Sequence, residues 1–256
     1  MQRRGTGSAP RPRRIGGADG AGPAHRKIRF ARAAPPGHPG GMFRFDLHVH
    51  TAFSPCSSLG VEEILRAARG RGLDGVAITD HHTMAARHRI TEGVQADGLA
   101  VVIGMEYSTP EGDFLLFGPF EDLPEGLSAG PLLAWVREAG GAAVAAHPFR
   151  RARPAATGFL RAGRCELLEV ANGRNRPAEN RRAAEWASAH GLAGVGGSDA
   201  HGLGELGRAF TAFEAPVRSR AELVRELRAG RCRAVGWDCD RPGGGAARPL
   251  GSHDAS

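Results

Sequence analysis

The chain has 256 residues, 41% of them hydrophobic and 24% charged, which is ordinary for a globular protein and enough for one sizeable domain with a real core. Its net charge of +7 arises at one end: residues 1–41 hold nine of the 34 Lys/Arg and one of the 27 Asp/Glu, so the balance gives no ground for a globular part built to bind a polyanion. No apolar run approaches the ~20 residues a membrane helix needs, and Cys56, Cys165, Cys232 and Cys239 form neither a C-x-x-C pair nor zinc-ribbon spacing, which points to a reduced, cytoplasmic protein.

Residues 1–41 mix Arg, Pro, Gly and Ala without a hydrophobic period, and are expected to be a disordered basic tail. Met42 stands directly before the first strand-like run and is a candidate true start. A single domain is expected over 42–240, followed by a loose Gly/Pro-rich tail, 241–256. Within the domain, Phe43–Leu47, Val76–Thr79, Ala100–Ile103, Phe114–Phe117, Ala142–Ala146, Leu167–Val170 and Ala193–Val195 read as buried strands. Helical patterns separate most of them. Val61, Ile64, Leu65 and Ala68 fall on one face, as do Leu132, Leu133, Val136 and Ala139 behind Pro131. A third helix spans 177–190, opened by Pro177 and followed by Gly191. Ser219 and Glu222 make a capping box ahead of Leu223 and Leu227. Strands alternating with helices imply parallel βα units, in a barrel or in an open doubly wound sheet.

The polar residues fall at the ends of these runs. His48 and His50 follow the first, Asp80, His81 and His82 the second, and Glu106 the third. His147 follows Ala142–Ala146, and Asp199 and His201 follow Ala193–Val195. Parallel barrels carry their active sites at the C-terminal ends of the strands, so residues more than 150 positions apart would converge on one mouth. In His48-Val49-His50 the two imidazoles lie two apart, on one side of an extended strand, where both can hold one ion. Ser198-Asp199-Ala200-His201 repeats that spacing with a carboxylate. Six of the eleven histidines sit at these strand ends; His25, His38, His88, His190 and His253 do not.

The clusters F-D-L-H-V-H-T, A-I-T-D-H-H-T, A-A-H-P-F-R and G-G-S-D-A-H, in that order and with G-M-E at Gly104–Glu106 between the second and third, resemble the motifs of the PHP (polymerase and histidinol phosphatase) domain family. The resemblance runs from about Phe43 to about Val235. It implies a distorted (β/α)7 TIM-like barrel and two or three divalent metal ions. It implies that His48 and His50 bind a first ion with Glu106 and Asp199, that Glu106 bridges to a neighbour, that His81 and His201 hold a second ion, and that His147 serves a third. Asp80 would orient a ligand or a water, and Asp80 and His201 are the expected catalytic residues. Two positions depart from the family pattern. Many members carry an acidic ligand shortly after H-x-H, where this chain has Ser54-Pro55-Cys56-Ser57; Cys56 either ligates or leaves the place unfilled. Many carry a histidine seven residues after the bridging Glu, where this chain has Asp113, either a ligand to a hard ion or a solvated turn residue.

Imidazole and carboxylate donors suit Zn²⁺, Mn²⁺ or Fe²⁺. A pair of such ions clamps an in-line displacement and lowers the pKa of bound water, so hydroxide can attack phosphorus at neutral pH without a covalent enzyme intermediate. Arg150, Asn172 and Arg174 are the expected phosphate-recognition residues, since a guanidinium fork matches phosphate. The expected function is hydrolysis of a small phosphorylated substrate or of short oligonucleotide 5′ ends, as a phosphatase or 5′-3′ exonuclease. A histidinol-phosphate-type phosphatase and a non-catalytic metal-binding module are the alternatives. No membrane and no protein partner is expected.

Overall fold

The computed structural model describes residues 42–161 and 165–236. The expected disordered tail 1–41, the loose tail 241–256, and Cys239 lie outside the described residues. Eleven strands and five α-helices run in the order β1 (Phe43–Val49), α1 (Val61–Gly70), β2 (Gly75–Ile78), β3 (Gly93–Val94), β4 (Ala100–Ile103), β5 (Met105–Thr109), β6 (Gly112–Phe117), α2 (Ala129–Glu138), β7 (Ala142–Ala145), α3 (Thr157–Arg161), β8 (Leu167–Asn172), α4 (Pro177–His190), β9 (Ala193–Gly197), β10 (Ala209–Phe213), α5 (Arg220–Arg228) and β11 (Cys232–Gly236). No helix among the described residues is long and apolar enough to cross a membrane.

The helices form where their caps and faces dictate. In α1 the buried residues are Val61, Ile64, Leu65 and Ala68, and Gly60 N–H donates to the Glu63 carboxylate at 3.0 Å. Pro177 opens α4, and Gly191 closes it in the left-handed conformation at φ 64°. Glu222 N–H donates to Ser219 Oγ at 3.2 Å ahead of α5.

The strands make a mixed α/β fold of two sheets, ordered β11-β10-β1-β2-β4-β3 and β5-β6-β7-β8-β9. β1-β2-β4 and β7-β8-β9 are parallel, as βα alternation requires. Among the described residues no closed barrel is detected, so the expected distorted (β/α)7 barrel is seen only as its mixed α/β sheets. Between β4 and β7 the chain makes an antiparallel β5–β6 hairpin in place of a βα unit, because the Pro110-Glu111 turn leaves no room for a crossover helix. β10 and β11 are also antiparallel additions. Among the described residues the two sheets are joined by a few bonds rather than by one closed ladder. Gly104 and Glu106 donate to the Ile78 and Asp80 carbonyls at one seam; Ala200 and His50 exchange bonds with His48 and Ala200 at the other.

Opposite faces of the strands build two apolar clusters. One packs Val76, Ile78, Val101, Ile103, Leu168 and Val170 against α1, α2 and α4. The other joins the two sheets through Phe45, Leu47, Val102, Leu115, Val144 and Val195, with Leu223 and Leu227 of α5 against it. Gly104 is required where β4 passes into β5, because a Cβ there would lie 2.6 Å from the Leu116 carbonyl oxygen.

Candidate metal centre

β1 delivers His48 and, one residue past its end, His50, both fully buried; Glu106 reaches the same spot from β5, and His147 and Asp199 from just past the ends of β7 and β9. Their tautomers are set from behind. His48 Nδ1 lies 3.0 Å from Glu169 Oε1, an acceptor, so Nδ1 carries the proton. Ser54 Oγ donates to Asp80 Oδ1 at 2.6 Å and therefore accepts from His50 Nδ1 at 3.2 Å. Both histidines thus turn a bare Nε2 lone pair forward.

Those two nitrogens face two carboxylate oxygens. His48 Nε2 is 3.3 Å from Glu106 Oε2 and 3.5 Å from Asp199 Oδ1; His50 Nε2 is 3.2 Å and 3.3 Å from the same atoms. Donors held ~2.1 Å from a common centre at tetrahedral angles stand about 3.4 Å apart, so these four spacings have the size of coordination-sphere edges, and His48, His50 and Glu106 each offer a ligand atom within 4.8 Å of one another. Its two nitrogens are also unsatisfied as they stand: His48 Nε2 and His50 Nε2 are buried without a hydrogen-bond partner, and so, beside the cradle, are His147 Nδ1 and Asp113 Oδ1. Buried polar atoms left unpaired are costly, and a divalent cation in the cradle would satisfy its two imidazole nitrogens. The residues fit the ions.

Two further groups adjoin the cradle. His50, Cys56, His81 and His201 bring one ligand atom each within 4.8 Å of one another, and so do Glu106, Asp113 and His147. Glu106 serves both neighbours: Oε2 is 3.2 Å from His81 Nδ1 and Oε1 is 3.0 Å from His147 Nε2. The field is strongly negative. Burial pushes His48 towards the neutral form, yet Asp199, Glu169 and Glu106 outweigh it and raise its pKa well above the ordinary value, a pull on positive charge that a bound cation would meet in place of the Nε2 proton. Burial likewise disfavours ionised Glu106 and Asp199, but the surrounding histidines keep both carboxyls low. At His81 and His201, burial prevails and favours the neutral, ligating imidazole.

The backbone is strained at this rim. His82, His147 and Asp199 are the non-glycine residues with positive φ among those described, at 52°, 29° and 54°. Each directly follows or belongs to a strand-end motif, where the surrounding fold over-determines the conformation.

A family model for the PHP domain matches residues 46–149, and one described as PHP-associated matches 177–232. An uncharacterized protein of Methanocaldococcus jannaschii, MJ0417, is 30% identical over 178 residues, covering 66% of this chain and 70% of its own. The chain belongs to the PHP domain family. A second uncharacterized M. jannaschii protein, MJ1587, is 37% identical over 114 residues, 41% of this chain and 67% of its own. Among solved structures, PsfC from Pseudomonas syringae matches with a TM-score of 0.64 at 19% identity, covering 77% of this chain and 92% of its own. A Bifidobacterium adolescentis protein provisionally assigned as a metal-dependent phosphoesterase matches at 0.53 and 21%, covering 73% and 96%. Endonuclease Q, in complex with a 27-mer duplex carrying an abasic lesion, matches at 0.59 and 18%, covering 77% and 60%. At such identities the structural likeness speaks for the fold.

The remaining PHP-motif residues fall into distinct places. Asp80 is engaged behind His50, accepting from Thr51 N–H at 2.7 Å, Thr51 Oγ at 2.6 Å and Ser54 Oγ at 2.6 Å. Asp113 is buried and paired through Oδ2 with Arg153 Nε at 2.5 Å. Asn172 is saturated: Oδ1 accepts from Arg150 and from the Arg174 backbone, and Nδ2 donates to Glu169. Arg150 donates to Asp199 Oδ2 at 2.6 Å, to Asn172 and to Asn175. Arg174 is exposed beside His201 and Glu205. His82 is exposed, against Tyr107 and away from the cradle.

Sequence reasoning missed Glu169 and Asp46. Glu169 also accepts from His147 N–H at 2.7 Å, so one carboxylate holds two ligand motifs. Asp46 accepts from Ser198 N–H at 2.8 Å and Gly207 N–H at 2.9 Å, tying β1 to the Asp199 loop; burial pushes its carboxyl up to about 6 despite those bonds. The available signal was an acid inside an apolar run, Leu167-Leu168-Glu169-Val170 and Phe45-Asp46-Leu47, which is costly without buried partners.

Proposed function

We propose that this chain is a metal-dependent phosphoesterase that hydrolyses phosphomonoesters, namely nucleotides or the 5′ ends of short oligonucleotides. The observation that carries the reading is the four-donor cradle of His48, His50, Glu106 and Asp199, whose spacings match a coordination sphere. Divalent ions bound there and beside it, Mn²⁺, Zn²⁺ or Fe²⁺, supply an acidified water and charge stabilisation for in-line attack on phosphorus.

The chain's own groups divide the remaining work. Glu169, Ser54 and Asp80 fix the direction of the two histidines. Arg150 holds Asp199 in place rather than reaching outward, and Asn172 keeps Arg150 and Glu169 in register. Arg174, exposed and in contact with His201 Nδ1 at 2.7 Å and Glu205 at 3.6 Å, is the guanidinium placed at the rim to turn to a phosphate oxygen. The segment between Glu106 and His147 is taken up by β6, α2 and β7, so it supplies no cap domain and leaves the site open to an oligonucleotide end. The likeness to endonuclease Q supports nucleic-acid phosphodiesters as a second substrate class, and the free thiols of Cys56, Cys165 and Cys232 suit a reducing, cytoplasmic setting.

The test is a hydrolysis screen of purified protein with each of the three metals, over nucleotides, 5′-phosphorylated oligonucleotides and histidinol phosphate. Nucleotide or 5′-end hydrolysis is expected, lost in a His48→Ala/His50→Ala variant. Activity on histidinol phosphate alone, or activity that survives the double change, contradicts the reading.

A further inference from the structure

We infer that Cys56 is a thiolate ligand in the position next to the cradle, with His81 and His201, and that it makes this position prefer thiophilic ions such as Zn²⁺ over Mn²⁺. The inference rests on the metal-centre reading above and names the donor that reading lacks.

Cys56 stands six residues after His50, in a loop that the fold ties back over the histidines. Ala52 N–H donates to the Leu59 carbonyl at 2.9 Å, Ser57 Oγ donates to the His50 carbonyl at 3.2 Å, and Ser54 is fixed on Asp80. The consequence is that Cys56 Sγ joins ligand atoms of His50, His81 and His201, all within 4.8 Å of one another. His50 Nε2, fully buried and without a hydrogen-bond partner, belongs to the adjoining cradle, so His81, His201 and Cys56 are the donors left to this position.

The other described cysteines serve packing. Cys165 is buried, and its thiol donates to the Leu167 carbonyl at 3.2 Å; Cys232 lies on β11. Cys56 is exposed, and among the described residues no hydrogen bond engages its sulfur. An exposed thiol beside the imidazoles of His81 and His201 adds a soft donor to a site for a borderline-soft ion. Thiolate selects Zn²⁺, whereas carboxylate and water suit Mn²⁺. As the sulfur–metal bond forms, the S–H bond breaks and its proton passes to solvent.

The probe is Co²⁺ bound to the full chain, followed by absorption spectroscopy and elemental analysis. A near-ultraviolet thiolate-to-cobalt charge-transfer band is expected in the wild type and is lost in Cys56→Ser, while cobalt stays at the cradle. Cys56→Asp should shift the Zn²⁺/Mn²⁺ affinity ratio towards Mn²⁺ by about tenfold or more. Cobalt bound without the band, or an unchanged ratio in Cys56→Asp, overturns the role of Cys56 and leaves the cradle standing. Absence of bound cobalt overturns both.

Discussion

His48 and Glu169 share a buried hydrogen bond of 3.0 Å, 121 residues apart in sequence, and that bond decides which nitrogen of His48 faces Glu106 and Asp199. Glu169→Gln keeps the shape but loses the charge that holds the Nδ1 proton, and its amide must set a donor against a donor. Metal affinity should fall about 10–100-fold with the fold retained. Chelator competition on both proteins measures this. Equal affinities would show that Glu169 does not direct the ligand.

Arg153 and Asp113 compete with a cation in the opposite sense. The guanidinium neutralises Asp113 from the exposed side, while Oδ1 remains buried and unpartnered near Glu106 and His147. Replacing Arg153 with Met should strengthen ion binding at that group by about tenfold, a screened surface charge being worth on the order of 1 kcal/mol. Elemental analysis across a Mn²⁺ titration reads it. Weaker binding in the variant would mean that Arg153 positions Asp113 instead.

Gly197 stands where β9 touches β1. A Cβ there would lie 2.5 Å from His48 Cβ and 2.8 Å from the His48 nitrogen. Gly197→Ala should cost about 1–3 kcal/mol as overpacking. It should also weaken metal binding, because His48 is the atom group that must move. A variant that is destabilised yet binds metal normally would separate the two effects and contradict the coupling.

Acid stability has a source outside the site. Glu226 of α5 accepts from Arg231 at 2.8 Å and 3.0 Å and from Arg225 at 2.9 Å; chiefly the Arg231 bonds hold its carboxyl down at about 2. The folded pKa lies below the unfolded one, so the folded state binds fewer protons between them. The stabilisation is complete above the ordinary carboxylate value of 4.5 and is lost as pH falls towards 2. Both arginines are half exposed, so solvent screening keeps the contribution small. The urea midpoint of Glu226→Gln should fall short of wild type at neutral pH and converge on it in acid. A gap that stays constant with pH would exclude this ion pair as its cause.

Much of this was legible in the chain. β4 and α4 follow their apolar runs and caps residue for residue, and the ligand motifs could be placed because they sit at the ends of those runs. β5 was not, since Met105-Glu106-Tyr107-Ser108-Thr109 carries a carboxylate and three hydroxyls and shows no alternation. Without it the β5–β6 hairpin was invisible, and strand–helix alternation left a barrel and an open doubly wound sheet both open. Arg150 and Asn172 looked outward in sequence because a guanidinium and an amide say nothing about their partners. Only the meeting of β8, β9 and the His147 loop reveals that Asp199 and Glu169 occupy them.

The central claim is that distant imidazoles and carboxylates share cations. Anomalous diffraction from crystals grown with Zn²⁺ or Mn²⁺ tests it most directly. The expected result is a peak ~2.0–2.2 Å from His48 Nε2, His50 Nε2, Glu106 Oε2 and Asp199 Oδ1, with a second peak sharing Glu106. Metal-replete crystals with no peak inside that cradle would contradict it.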